Sequence, residues 1–395
     1  MPTEPARPAP AARRGELDLL RTFVVLGLVF FHAALVFSPD DDYYVKNRDT
    51  TDAVTVLAGL GVVWAMPMLF LVAGIGARHS LARRGPGGFA RERLLRLGVP
   101  LVFATLVLNP LPQWLRERAG GHHEPYGSFW LRFLSVRPDP ADFPFVLDGR
   151  FFETGHLWFV VLLLAFGLLL APAADVLARH GGRAAEAVGR RPALLWLPAV
   201  PLAAIDATGT EEGLAGWNRW AYLVFFLYGH ALAGDDRVRA ATRRLTVPAG
   251  VLGLALFAAT APGFMSLDDP FTDGSPFAAG TRALFGAAGW CWVLAILGAL
   301  DRRRSARRAA SREPGTARRA RAYLVVAALP LYVLHQPVLV AVAYGVIGWD
   351  TPAPVKYAVI VAGTLAVILL LYEYGVRRTA AGRVLFGMRT AAAPR

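Results

Sequence analysis

Apolar runs of about 20 residues recur along this chain, and they constrain its fold more than any other feature. About 20 apolar residues in a helix cross the hydrocarbon core of a bilayer. The chain is 55% hydrophobic with a mean hydropathy of +0.41, too apolar for a soluble domain of 395 residues. We predict an all-α polytopic membrane bundle of about ten transmembrane helices, around residues 19–38, 54–77, 98–115, 157–174, 193–207, 216–233, 247–264, 279–300, 322–346 and 354–374.

The charges between these runs predict the topology. With ten spans, arginine clusters fall on one side of the membrane, at residues 7–14, 78–96, 179–191, 237–244, 301–321 and 377–395. Acidic residues collect on the other side: Asp40, Asp41, Asp42, Asp49, Asp52, Glu211, Glu212, Asp268, Asp269 and Asp273. Because cytoplasmic loops are rich in Lys and Arg, both termini are predicted to be cytoplasmic. The net charge of +13 then indicates anionic membrane lipid as a partner, and no nucleic acid.

The domain organisation follows from composition. Residues 1–16 are predicted to be a disordered cytoplasmic tail, 17–376 a membrane domain and 377–395 a basic cytoplasmic tail. The single cysteine, Cys291, excludes an intramolecular disulfide, and no metal-ligand motif or nucleotide-binding glycine pattern is present. We therefore predict no metal.

Arg21 and His32 lie eleven residues apart within the first apolar run. Eleven steps of about 100° return to nearly the same helix face, about 16 Å further along the axis. Ionisable side chains inside a membrane are costly, and they usually face a bundle interior or a water-filled cavity. We predict that both are functional, although a structural hydrogen bond is an alternative for His32. Asp18, one turn before Arg21, either pairs with it at the helix end or shares its role.

Further candidates lie in later runs. Arg93 and Arg96 are one turn apart and either bind an anion together or belong to the ordinary positive flank of a span. His335, three residues after Tyr332, belongs either to a site or to an inter-helix hydrogen bond, and Pro330 and Pro337 free backbone carbonyls beside it. His156 and Trp158 either line the same site or anchor the chain at the membrane boundary.

Four segments in this order resemble the membrane-bound acyltransferase 3 family. They are the Arg–His pair with ten residues between (Arg21, His32), a span ending in Ala-Gly followed by an Arg-x-x-Arg-Leu element (residues 93–97), a His-Leu-Trp-Phe string (residues 156–159) and a Tyr-x-x-His-x-Pro element (residues 332–337). The chain departs from the family where Ala73 stands in place of a frequent Ser. The resemblance covers residues 17–340, most of the chain.

The resemblance implies a membrane-bound O-acyltransferase of a bacterial cytoplasmic membrane. A short acyl group, of the acetyl or succinyl class, would pass from cytoplasmic acyl-CoA to a hydroxyl of a glycan, lipid-linked sugar or exported small molecule of the cell envelope. Arg21 would hold donor phosphate and His32 would be the general base. The other candidates, predicted to bind substrate, are Asp18, Arg93, Arg96, His156, Trp158, Tyr332 and His335. The alternative is a membrane transporter or flippase with Arg21 and His32 lining its pathway.

Overall fold

The computed structural model describes residues 15–39, 43–51, 53–136, 151–209, 214–309 and 315–388. Within these ranges the chain is helical and forms no strand, as predicted. The helices are α1 (Gly15–Leu35), α2 (Ala53–Arg93), α3 (Val99–Val107), α4 (Pro110–Ala119), α5 (Tyr126–Phe133), α6 (Trp158–Leu170), α7 (Ala174–Arg190), α8 (Ala199–Thr208), α9 (Arg219–Ala231), α10 (Asp236–Ala259), α11 (Ala261–Ser266), α12 (Pro276–Ala309), α13 (Gly315–Val346), α14 (Ala353–Leu370) and α15 (Ala380–Leu385). Short 3₁₀ helices at Gly155–Leu157 and Pro192–Trp196, and π-helical turns at Leu94–Gly98 and Leu371–Arg377, connect some of them.

Six helical stretches of the described chain are long and apolar enough to cross a membrane. They are Gly15–Leu35, Ala58–Ala119, Asp236–Ser266, Pro276–Arg303, Arg319–Val346 and Ala353–Arg377. A seventh is formed if the pair α6 and α7, bent by 93°, counts as one span. The predicted count of ten is therefore not confirmed.

The difference from ten has two physical sources. The predicted runs 193–207 and 216–233 form the short helical stretch Pro192–Thr208 and the 13-residue helix α9. Thirteen residues rise only about 20 Å, less than the roughly 30 Å of a hydrocarbon core. Conversely, Ala58–Ala119 contains 62 residues and covers two predicted runs, with a kink at Gly85, whose φ of 68° suits glycine.

Close contacts between backbones join α2 to α9. A Cβ added at Gly74 would lie 2.0 Å from the carbonyl oxygen of Phe226, and one added at Gly229 would lie 1.9 Å from that of Leu71. Small residues let membrane helices approach this closely, and van der Waals packing then stabilises the pair. Phe70, Tyr222 and Phe226 are buried around this crossing and form an aromatic part of the core.

Helix α1 packs against α13, α14 and α2, and this arrangement positions the candidate site. Glu16 and Asp18 in its first turn suit the positive end of the helix dipole. At its other end, the ammonium group of Lys46 donates to the carbonyl oxygens of Leu35 and Ser38, at 3.2 and 2.8 Å. Charged side chains therefore stabilise both ends of α1.

The predicted terminal tails overlap the helical bundle. Residues 15 and 16 of the predicted N-terminal tail begin α1, and the rest of that tail lies outside the described residues. The predicted C-terminal tail contains α15, after which Phe386 is buried with its ring centroid 5.5 Å from that of Phe103. Residues 389–395 lie outside the described ranges. The bundle therefore extends beyond the predicted limit at residue 376.

Candidate active site

Arg21 and His32 both face α13. A guanidinium nitrogen of Arg21 lies 3.5 Å from the carbonyl oxygen of Val325, and Nδ1 of His32 lies 3.1 Å from Nε2 of His335. The two contacts are eleven residues apart on α1 and ten residues apart on α13, so they are separated by nearly the same distance along both helices. The shared face predicted from the spacing is thus an interface with one particular helix.

The hydrogen bonds of His335 define the protonation pattern of the pair. Its Nδ1 contacts the carbonyl oxygen of Tyr332, which can only accept, so Nδ1 carries a proton. For two neutral rings, Nε2 of His335 must then accept the hydrogen bond from Nδ1 of His32. Nε2 of His32 is left with the lone pair. This is the atom a general base needs, on a ring that is half-buried, while His335 is fully buried.

His156 and Tyr332 tie the start of α6 to the same part of α13. Pro337 has no amide hydrogen, so the carbonyl of Val333 lacks its usual helical partner. Nε2 of His156 donates to that carbonyl oxygen at 3.2 Å, and the hydroxyl of Tyr332 donates to the carbonyl oxygen of His156. The ring centroids of His156 and His335 are 4.9 Å apart. The predicted freed carbonyl therefore exists and serves an inter-helix contact.

His32, His156 and His335, here called the histidine cluster, invite comparison with a metal centre. Nδ1 of His335 and Nε2 of His156 are both directed at backbone carbonyls. In the part of the chain that the structure describes, no three His, Cys, Asp or Glu side chains are arranged to hold a metal ion. The cluster is instead a set of hydrogen-bonded imidazoles.

Two tyrosines follow α1: Tyr43 contacts His32, and Tyr44 packs edge-on against Tyr43. The ring of Tyr43 lies nearly parallel to that of His32, with centroids 6.0 Å apart and planes inclined by 11°. The hydroxyl of Tyr44 donates to the carboxylate of Glu153, beside Gly155. Burial raises the pKa of Tyr44 and the adjacent Glu153 carboxylate raises it further, so this phenol keeps its proton. Neither the tyrosines nor Glu153 were predicted as site residues.

Trp158 lies apart from the imidazole contacts. Its ring stacks on Tyr222 at 5.3 Å and faces Phe70 at 6.3 Å, next to the α2–α9 crossing. Trp158 therefore belongs to the aromatic core, although it lies only two residues after His156.

A second group of residues, here called the arginine cluster, consists of Arg21, Arg84, Arg93 and Arg96 with Glu92. Oε1 of Glu92 lies 3.2 Å from Arg84 and 3.6 Å from Arg96, and Arg96 also donates to the carbonyl oxygen of Gly387. Arg21 lies 3.8 Å from Asp18. The predicted pairing of Asp18 with Arg21 is therefore present.

Arg93 differs from its neighbours. Its guanidinium lies over the ring of Phe89, 4.8 Å from the centroid, and its Nε is buried with no hydrogen-bond partner in the structure. The charges of Glu92, Arg96, Arg21 and Arg84 all act on it, and the carboxylate of Glu92 also lies close to Arg84 and Arg96. An additional anion here would be stabilised by several guanidinium groups, among them that of Arg93, whose Nε donor has no partner in the structure.

The predicted site residues thus fall into two groups along α1. His32, His156, Tyr332 and His335 meet near its C-terminal end, whereas Asp18, Arg21, Arg93 and Arg96 lie toward its N-terminal end. Eleven helical residues separate the groups by about 16 Å. Sequence reasoning missed Glu92, although an acid between two arginines of a basic element is a signal of internal pairing.

Comparison with known proteins adds one finding. A family profile described as an acyltransferase domain, of the type acyltransferase 3, matches residues 14–373, nearly the whole chain. No curated protein and no solved structure matches the chain. The profile confirms the resemblance inferred from the four segments, and it includes both groups of site residues.

Proposed function

The chain belongs to the acyltransferase 3 family and is a membrane acyltransferase, and from this premise we propose that it moves a short acyl group from acyl-CoA to a hydroxyl. The acyl group is of the acetyl or succinyl class. The acceptor is a glycan, a lipid-linked sugar or an exported small molecule. The observation that carries the proposal is the bond between His32 and His335, which leaves Nε2 of His32 with its lone pair.

The chemical step follows from that lone pair. Nε2 of His32 takes the proton of the acceptor hydroxyl as the oxygen attacks the thioester carbonyl carbon. The new C–O bond forms, the C–S bond breaks, and the CoA thiolate leaves and takes up the proton. His335 accepts from Nδ1 of His32 throughout, which favours the tautomer required and stabilises the imidazolium that forms transiently. His335 is thus a positioning residue in this proposal, and His156 is bonded to the same part of α13.

The arginine cluster supports the second part of the proposal, that the acyl donor is acyl-CoA. Donor phosphates carry several negative charges, and planar guanidinium groups bind phosphate oxygens in pairs. Arg93 is the leading phosphate ligand because its Nε donor is buried without a partner in the structure, with Arg21 and Arg96 beside it. The separation of about 16 Å along α1 is comparable with the reach of CoA from its diphosphate to its sulfur.

Acyl release from acetyl-CoA and succinyl-CoA tests this function. Purified protein in liposomes is supplied with each labelled donor and a panel of mono- and disaccharides, and thiol appearance and labelled product are measured. Wild type should turn over at least one donor, and folded His32→Ala should lose about 100-fold or more in kcat, the usual contribution of a general base. Absence of turnover by wild type, or unchanged turnover by His32→Ala, would contradict the proposal, and the second result would favour transport.

We also propose that both termini and the arginine cluster face the cytoplasm of a bacterium, where acyl-CoA is made. Exposed glycines in open space offer a matched test, Gly182 in α7 and Gly127 in α5. Cys291 is only 1% exposed, so it provides little background labelling. A membrane-impermeant maleimide should label Gly127→Cys in intact cells and Gly182→Cys only after permeabilisation, and the reverse pattern would invert the topology.

A further inference from the structure

Residues 43–51, here called the strap, run from the end of α1 past the histidine cluster toward α2. The strap contains no regular helix, yet its inner residues are buried: Val45 is 1% exposed and Tyr43 is 8% exposed. A segment without regular secondary structure must satisfy its backbone groups in another way. The hydrogen-bond partners of the strap therefore identify the parts of the molecule to which it is attached.

The strap is tied first to the end of α1. The amide nitrogen of Asn47 donates to the carbonyl oxygen of Val36 at 2.8 Å, and that of Thr51 donates to Phe37 at 2.9 Å. Lys46 donates to carbonyl oxygens at the same helix end. These bonds fold the strap back on α1, the helix that carries His32.

A buried lysine ties the strap to two further helices. Lys356, in the first turn of α14, is 6% exposed. Its Nζ donates to Oδ1 of Asn47 at 3.1 Å and to the carbonyl oxygen of Ile347, at the end of α13, at 2.8 Å. A buried ammonium group is costly unless it is well bonded, so these partners indicate a specific structural task. Lys356 connects the strap to α13, the helix that carries His335.

These bonds hold one ring against the proposed base. Tyr43 lies nearly parallel to His32 at a centroid distance of 6.0 Å, while the His335 ring lies 5.1 Å from His32. The hydrogen bond to His335 and a backbone hydrogen bond to Leu28 restrain the edge of the His32 ring. Contact with the nearly parallel ring of Tyr43 opposes rotation of the imidazole out of its plane, and aromatic pairs favour such separations.

We propose that Tyr43 is a positioning residue for the imidazole of His32, held in place by the strap through the bond between Asn47 and Lys356. The proposal rests on the proposed function, in which His32 is the base. Tyr43 acts through its ring and takes no proton in the reaction. Because catalysis is sensitive to displacements of about 1 Å, losing the ring lowers kcat by about tenfold to 100-fold and leaves donor binding, about 16 Å away, unchanged.

Kinetics of four variants test the inference in the thiol-release assay. Tyr43→Ala should lower kcat by about tenfold or more, with KM for acyl-CoA within about twofold of wild type. Tyr43→Phe, which keeps the ring, should retain most of the kcat. Lys356→Met should lower kcat although it lies on another helix and touches neither ring. In a His32→Ala background, Tyr43→Ala should cause no further loss.

The outcomes separate this inference from the function on which it rests. Activity that survives His32→Ala overturns the proposed function itself. Loss in His32→Ala with wild-type kcat in folded Tyr43→Ala overturns the positioning role alone. Equal losses in Tyr43→Phe and Tyr43→Ala would assign the effect to the hydroxyl and also overturn it. If Tyr43→Ala does not fold, the comparison of Tyr43→Phe with folded Lys356→Met decides, because wild-type kcat in Lys356→Met contradicts the role of the strap.

Discussion

Replacing His335 by Leu is expected to lower kcat without weakening the binding of acyl-CoA. The change removes the acceptor that lies 3.1 Å from Nδ1 of His32. A hydrogen bond of this kind contributes about 0.5–1.5 kcal/mol net, and about 1.4 kcal/mol corresponds to a factor of ten in rate. If the bond acts only in the transition state, kcat falls about 2- to 13-fold. A larger fall, up to about 100-fold, would report loss of ring orientation as well.

His335→Gln is the matched control for this prediction. A glutamine amide oxygen can replace Nε2 as the acceptor, so this variant is expected to keep kcat within about threefold of wild type. Thiol release from acetyl-CoA or succinyl-CoA gives kcat and KM, and thermal unfolding in detergent identifies variants that have lost their fold. A kcat of folded His335→Leu within twofold of wild type would refute the reasoning. The reasoning would also be refuted if His335→Leu lowered kcat by the same factor in a His32→Ala background, because the effect would then not depend on His32.

Two further changes test the donor site and the packing of the bundle. Arg93→Ala should raise KM for acyl-CoA about tenfold with kcat little changed, an effect that added salt should reduce. Arg91→Ala, which removes an exposed arginine two residues earlier in the same last turn of α2, should leave KM unchanged, and equal effects would assign the change to general surface charge. Gly74→Ala should destabilise the protein by about 1–3 kcal/mol or prevent folding, because its Cβ would lie 2.0 Å from a backbone oxygen. Gly76→Ala is the control, because its Cβ would meet open space. Equal thermal unfolding temperatures for the two variants would contradict the α2–α9 contact.

The presence of membrane helices could be predicted from short-range properties of the sequence, but the lengths of these helices could not. Apolar runs identified a helical membrane protein correctly because burial in lipid requires every backbone group to bond within its own segment. The count of ten was not confirmed, since α9 is only 13 residues long and Ala58–Ala119 joins two runs through a kink. Where a helix ends depends on caps, glycines and neighbouring helices, which hydropathy does not report.

The sequence by itself determined that Arg21 and His32 share a helix face and that Pro337 would release a carbonyl, because both follow from the geometry of one helix. Only the tertiary structure decided which groups meet them. The bond between His32 and His335 joins residues 303 positions apart, and the bond between Asn47 and Lys356 joins residues 309 apart. Neither has a local signature, because each depends on how α1, α13 and α14 pack. The chemistry of the site is therefore divided: residue types and helix faces are encoded locally, and the lone pair on His32 depends on the packed bundle.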